Sequence, residues 1–245
     1  MIIAAAQTKP KRFDLQANLS DHFRYIKLAA ENGASLIIFP EMSITGYETE
    51  HAAEMALTPG DIQLSGLQQL SDENNIIIVG GAPVMLNNKL FISSLIFQPY
   101  QAVEVYTKQF LHSTEVDFFA SSFGYNPVIE LENERISFAI CADIDHPEHA
   151  GNAAKIGATI YLASIFFTPR GIPEAYQLLS DYAKKHSLNV LMSNFAGQSH
   201  GTAAAGQSAF WSSNGELIAR LNSHKEGLLL VEKTATGWTE RKNSF

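Results

Sequence analysis

One cysteine, Cys141, serves a chain of 245 residues, so an intrachain disulfide is excluded. That economy fits a reducing compartment. Positive charge is scarce too: 17 Lys and Arg stand against 25 Asp and Glu, a formal net charge of −8. Nucleic acid is therefore not the expected partner, because phosphate binding needs a basic surface. The small basic group Lys9, Lys11, Arg12 is expected to be a solvated loop. No apolar run is long enough for a membrane span, and the opening MIIAAAQTKPKRFDLQ has no basic segment ahead of a short apolar stretch, which argues against a secretory leader. A soluble cytoplasmic protein without a membrane partner is expected. No linker composition, low-complexity tract or repeat interrupts the chain, so a single domain over 1–245 is expected. The Gly-rich GQSHGTAAAGQ (197–207) lacks the Lys-Ser/Thr ending of a phosphate loop and is expected to be a flexible loop beside a pocket.

What the chain has is apolar mass: 46% hydrophobic and only 17% charged residues, enough for a sizeable core. Short apolar runs predict strands at 2–6, 35–41, 76–84, 90–98, 102–108, 135–140, 158–164 and 189–194. Pro99-Tyr100-Gln101 predicts a hairpin between two of them. Helical spacing predicts helices over 18–32, ending near Gly33, and over 61–74, 147–156 and 173–186. Three further strands between 207 and 233 have the spacing of a meander. Strands alternating with helices early and pairing as hairpins later predict an α/β fold with a mixed sheet, or two sheets with helices outside.

Polar residues at the ends of apolar strands carry the functional argument, because ligand sites in α/β folds gather beyond the carboxyl ends of strands. Glu41 follows SLIIFP, Lys108 follows AVEVYT, and Cys141 follows RISFAI. If the three ends meet, they supply a base, a cation and a nucleophile. A free thiol has a pKa of about 8.5, so little thiolate exists at neutral pH. A carboxylate beside it accepts the proton as attack proceeds, and an ammonium stabilises the thiolate and the oxyanion that forms. Such a site performs acyl transfer without histidine or metal.

The segments FPEMSITGY (39–47), YTKQFLHSTE (106–115) and the Cys141 turn, in that order and at wide spacing, resemble the motif blocks of the nitrilase superfamily of carbon–nitrogen hydrolases. AAAQTKP at the start, and SNFAGQ and GQSAFWSSNGE near the end, extend the resemblance over essentially the whole chain. It implies a four-layer αββα sandwich with two mixed sheets, no cofactor, a small-molecule amide or carbamoyl substrate, and a homodimer or higher homo-oligomer. It further implies Glu41 as general base, Lys108 as the oxyanion-stabilising cation, Cys141 as nucleophile, Glu115 as a supporting acid and the Ala142 N–H as second oxyanion donor. Tyr47, in the first block, is expected at the substrate.

Around the cysteine many family amidases read Cys-Tyr-Asp-x-Arg-Phe-Pro-Glu, whereas this chain reads CADIDHPE. Asp145 stands where arginine is frequent, the residue that in ω-amidase-like members is associated with a substrate carboxylate. Asp145 would repel such an anion, so a neutral or cationic substrate is expected unless Asp145 turns away to cap the next helix. The nitrilase branch usually has Cys-Trp-Glu, so Cys-Ala-Asp favours amides over nitriles. A metal held by Asp143, Asp145, His146 and His149 is disfavoured, since bound metal would quench the nucleophile. Two rivals remain: a Cys–His hydrolase using His146, His149, His186, His200 or His224, and a catalytically silent binding protein on the same fold. Tyr47, Phe118, Phe119, Phe166 and Phe167 are expected in the core or a pocket wall.

Overall fold

A computed structural model describes residues 1–199 and 201–241. In chain order the elements are β1 (Ile2–Gln7), α1 (Leu15–Glu31), β2 (Leu36–Ile38), α2 (Ser65–Asn74), β3 (Ile77–Leu86), β4 (Lys89–Phe97), β5 (Glu104–Thr107), β6 (Ile129–Leu131) and β7 (Glu134–Ile140). There follow α3 (Pro147–Lys155), β8 (Ile160–Ser164), α4 (Ile172–His186), β9 (Asn189–Ser193), β10 (Gln198–Ser199), β11 (Thr202–Ala203), β12 (Ala209–Trp211), β13 (Leu217–Arg220), β14 (Gly227–Thr234) and β15 (Gly237–Glu240).

Two mixed sheets result. The first runs β15-β14-β1-β2-β3-β4-β5 and the second β13-β12-β9-β8-β7-β6. The continuous apolar runs of their central strands reflect burial on both faces. In β1, Ile3 and Ala5 pack with Phe138, Ile140 and Leu162 of the opposite sheet. Ile2, Ala4 and Ala6 pack instead with Leu19, Ile26 and Leu67 of α1 and α2. On the other side, Ala150, Leu179 and Tyr182 of α3 and α4 cover Ala139, Tyr161 and Ala163. The layers are therefore αββα, the architecture the sequence resemblance implied.

Helix α1 begins three residues before the apolar periodicity does, because the Asp14 carboxylate caps it by accepting from the Ala17 N–H at 2.9 Å. The meander of the last three strands is not formed. β12 and β13 pair as a hairpin, but β14 crosses to the first sheet and lies beside β1. Leu228 and Leu230 of β14 face the α1/α2 layer while Leu229 and Val231 face the other sheet. A strand apolar on both faces needs an interior position, and the place beside β1 provides one. The segment expected to be a flexible loop, 197–207, carries the two-stranded β10–β11 hairpin, and His200 within it lies outside the described residues.

Candidate active site

Glu41 stands just past β2, where the two sheets are pinned together. The Phe39 N–H bonds Val79 O, and Phe39 O accepts from Ser164 Oγ at 2.8 Å, Ser164 being the last residue of β8. The chain then turns sharply, with Met42 at φ +50°. That turn lies flat against Gly81 of β3: a Cβ there would stand 2.4 Å from Met42 N and 2.7 Å from Pro40 O. Ser43 Oγ accepts the Gly81 N–H at 3.2 Å and lies 3.0 Å from His22 Nε2. Burial lowers the His22 pKa to about 4, so the ring is neutral and the bond fixes the turn without adding charge.

Lys108 leaves the end of β5 fully buried, and its Nζ donates to Glu41 Oε1 and Glu115 Oε1, both at 2.7 Å. Glu115 is also buried. Its Oε1 accepts the Tyr47 hydroxyl at 2.6 Å and its Oε2 accepts the His112 N–H at 2.8 Å. Glu41 differs: Oε2 is buried with no hydrogen-bond partner among the described residues. One oxygen of the expected base is thus held by the ammonium and the other is free to take a proton.

Cys141 follows β7 at φ +44°, a left-handed conformation uncommon for a residue with a side chain. It opens a tight 3-10 turn, Cys141–Asp145. The half-buried Sγ lies 3.8 Å from Phe166 O. The turn is clamped by Asp143. Its Oδ1 accepts the N–H groups of Gln109 (3.0 Å) and Phe110 (2.9 Å), while Oδ2 accepts the Ile140 N–H (2.8 Å) and the Tyr106 hydroxyl (2.6 Å). One carboxylate therefore joins the segment after Lys108 to the residue before Cys141. Tyr106, whose hydroxyl donates its hydrogen bond to Asp143, accepts from His149 Nε2 (2.8 Å), whose Nδ1 meets the Tyr161 hydroxyl at 2.7 Å.

The electrostatics follow from burial. Desolvation raises the Glu41 pKa to about 7; Lys108 opposes the rise and Glu115 adds to it. Burial works against the Lys108 ammonium, but Glu41, Cys141 and Glu115 outweigh it and hold the pKa above its ordinary value. Burial, then the Glu41 carboxylate, pushes the Cys141 thiol up, with Lys108 pulling the other way. The resting arrangement is thiol, carboxylate and ammonium, and the sulfur needs a base to become a nucleophile.

The sulfur opens into a cavity of about 270 Å³. Tyr47, Glu115, Ala142 and Asp145 line it with Cys141, opposite Phe166 and Phe167. Every site residue expected from the sequence thus either lines this cavity or, for Glu41 and Lys108, joins it through the Glu115 ion pair. Asp145 does not turn away: α3 has no side-chain cap, and the Asp145 carboxylate makes no hydrogen bond or ion pair with the described residues. His146 instead stacks on Phe110 with ring centroids 3.7 Å apart. Both ring nitrogens of His149 are engaged by tyrosines, and no described histidine bonds the thiol, which removes the basis for a Cys–His pair among them. Phe119 is core, while Phe118 is 41% exposed. Thr202 lies at the cavity too, so the 197–207 segment does sit beside the pocket.

Sequence reasoning missed Asn194, which follows β9. Its Oδ1 accepts the N–H groups of Phe167 (3.1 Å) and Phe195 (2.9 Å), and its Nδ2 donates to Phe167 O (3.2 Å) and Gly206 O (2.9 Å), setting the aromatic wall. Its position after an apolar strand was the available signal, the same one that exposed Glu41, Lys108 and Cys141.

A family model described as carbon–nitrogen hydrolase matches residues 2–242. The chain is similar to a nitrilase of Pyrococcus abyssi, 24% identical over 239 residues that cover 94% of this chain and 88% of that protein. It is also similar to a hydrolase in the agr operon of Staphylococcus aureus, 26% identical over 192 residues, 76% of this chain and 74% of that one. Among solved structures, the NitN amidase from Nesterenkonia sp. AN1 superposes with a TM-score of 0.85 at 23% identity, covering 96% of this chain and 94% of that chain. A variant of that amidase, carrying acrylamide joined by Michael addition to its active-site cysteine, also gives 0.85.

Proposed function

The chain belongs to the carbon–nitrogen hydrolase family of the nitrilase superfamily, and we propose that it hydrolyses a small amide or carbamoyl compound through a thioester on Cys141. The observation that carries this proposal is the buried Lys108 ammonium, 2.7 Å from both Glu41 and Glu115, behind a cavity whose wall holds the single thiol.

In the first half-reaction the Cys141 proton passes to Glu41 as the sulfur attacks the amide carbon. A base with a pKa of about 7 suits this transfer at neutral pH. Lys108 Nζ and the Ala142 N–H receive the negative charge that develops on the carbonyl oxygen. When the intermediate collapses, the C–N bond breaks and the proton on Glu41 goes to the departing nitrogen, so ammonia or an amine leaves and a thioester remains. In the second half, water gives a proton to Glu41 and its oxygen adds to the thioester carbon. The C–S bond then breaks, the sulfur recovers the proton from Glu41, and a carboxylic acid departs. Glu115 acts through Lys108: its bonds to Nζ, the Tyr47 hydroxyl and the His112 N–H fix the ammonium in place.

A panel of amides and carbamoyl compounds, run with wild type and Cys141→Ser, tests the proposal. Turnover in wild type alone, with an acyl adduct on Cys141 by intact mass, is the expected outcome. An unreactive thiol and no turnover across the panel would instead identify a binding protein on a hydrolase fold.

A further inference from the structure

We infer that the cavity takes an amide whose far end carries a positive charge, and that Asp145 selects it. This rests on the amidase proposal for the reacting end and concerns the other end of the substrate.

Asp145 lines the same cavity as Cys141 and is exposed within it. The neighbouring acids are all engaged. Glu41 and Glu115 share Lys108, and Asp143 accepts four hydrogen bonds. Asp145 alone has neither a hydrogen bond nor an ion pair with the described residues. A carboxylate facing a cavity with no donor from the protein is hydrated when the cavity is empty and can exchange that water for a charge-assisted bond to a ligand donor.

The charge balance points the same way. Glu41 and Glu115 against Lys108 leave one excess negative charge when all three are ionised, and Asp145 adds a second. Burial and then the field of Glu174, in the first turn of α4, hold the Asp145 carboxyl above its usual range, with His146, Lys108 and His112 acting the other way without cancelling the rise. Among the described residues, no lysine or arginine lines the cavity; His112 is the one basic side chain in its wall. An anionic tail would be repelled here and a cationic one attracted. Phe166 and Phe167 in the wall suit an aliphatic stem and the flank of an ammonium. Asp145 closes the turn that Cys141 opens, so the charged group lies a few methylenes from the carbonyl carbon.

Three probes of matched length decide the matter: δ-aminovaleramide (cationic tail), hexanamide (neutral, a methyl in place of the ammonium) and glutaramate (anionic). Wild type is expected to rank them in that order by kcat/KM. Asp145→Asn is expected to lower the ratio of the cationic to the neutral probe about tenfold, and Asp145→Lys to raise glutaramate above δ-aminovaleramide. Calorimetric binding of the same probes to Cys141→Ala is expected to keep the wild-type order. If no probe is hydrolysed but that binding order holds, the amidase proposal fails and the cation site stands. A cationic-to-neutral ratio unchanged in Asp145→Asn, or glutaramate handled as well as δ-aminovaleramide by the wild type, overturns the inference.

Discussion

Two adjacent glycines in β3 offer a sharp test of how the fold places Glu41, the proposed base. Alanine at position 81 would bring a Cβ to 2.4 Å from Met42 N, 2.7 Å from Pro40 O and 3.0 Å from Glu41 C. All three are backbone atoms flanking or belonging to Glu41, and none can swing aside as a side-chain tip does. Either the Pro40–Met42 turn moves outward or β3 bends. Overpacking of this kind costs about 1–3 kcal/mol, and at 2–4 °C per kcal/mol for a chain of this size the expected fall in Tm is about 2–12 °C. The effect on catalysis is expected to be larger, since displacement of a reacting group by about 1 Å costs about 100-fold. Gly80 is the internal control. A Cβ there meets only Ile44, at 3.1 Å from Cδ1, the end of a flexible side chain. Gly80→Ala is therefore expected to stay within a few degrees of wild type and to remain active. Thermal unfolding by circular dichroism and steady-state amide hydrolysis on both variants provide the comparison. Equal behaviour of the two, or a fully active Gly81→Ala protein, would refute the claim that the missing side chain at 81 holds Glu41 in position.

The remaining predictions concern the buried charges. Asp143→Ala strands the N–H groups of Gln109, Phe110 and Ile140 and the Tyr106 hydroxyl; at about 1–3 kcal/mol per unsatisfied buried group, a loss of at least about 3 kcal/mol is expected in urea unfolding. Lys108→Met leaves two buried carboxylates facing each other, a loss of about 3–5 kcal/mol that should shrink as pH falls and Glu41 protonates; a deficit independent of pH would contradict the ion-pair account. In the proposed mechanism Glu41 acts as base only when ionised, so kcat/KM is expected to rise with pH through about 7. Because Glu115 pushes that value up, Glu115→Gln should move the rising limb to lower pH. The same shift has a stability consequence of opposite sign to the usual carboxylate. The folded value lies above the ordinary 4.5, so the folded state holds the proton more tightly, and stability present below pH 4.5 is lost as pH climbs to about 7. Glu41→Gln should flatten that dependence in pH-dependent chemical denaturation.

Strand existence was legible because burial on both faces leaves continuous apolar runs, and the site was legible because Glu41, Lys108 and Cys141 interrupt those runs at their ends. Sheet membership was not. GLLLVEK has the same pattern whichever sheet receives it, and only the vacancy beside β1 decides. The packing role of Gly81 was equally hidden, since it depends on a turn 40 residues away in sequence, and the sequence shows neither the approach nor its 2.4 Å limit. Asp143 was visible as part of a family pattern, but its four donors come from residues 106, 109, 110 and 140, brought together only when β5 and β7 lie in facing sheets.

Four acids surround one thiol, and what distinguishes them is how many of their lone pairs the protein has already used. Asp143 has both oxygens saturated by two donors each and serves to hold the Cys141 turn to the Lys108 segment. Glu115 is bound at both oxygens as well, and one of its partners is the ammonium; it fixes that cation and loads Glu41 with repulsion. Glu41 is engaged at one oxygen and bare at the other, the condition for a group that must pick up and return a proton without breaking the bond that orients it. Asp145 has no protein partner among the described residues, and a carboxylate kept unpaired at a cavity wall is what recognition of an outside cation requires. Residue type is the same or nearly so in all four cases. On the proposed roles, partner count separates clamp, support, base and recognition, and it is a property of the assembled sheets that no local stretch of the chain contains.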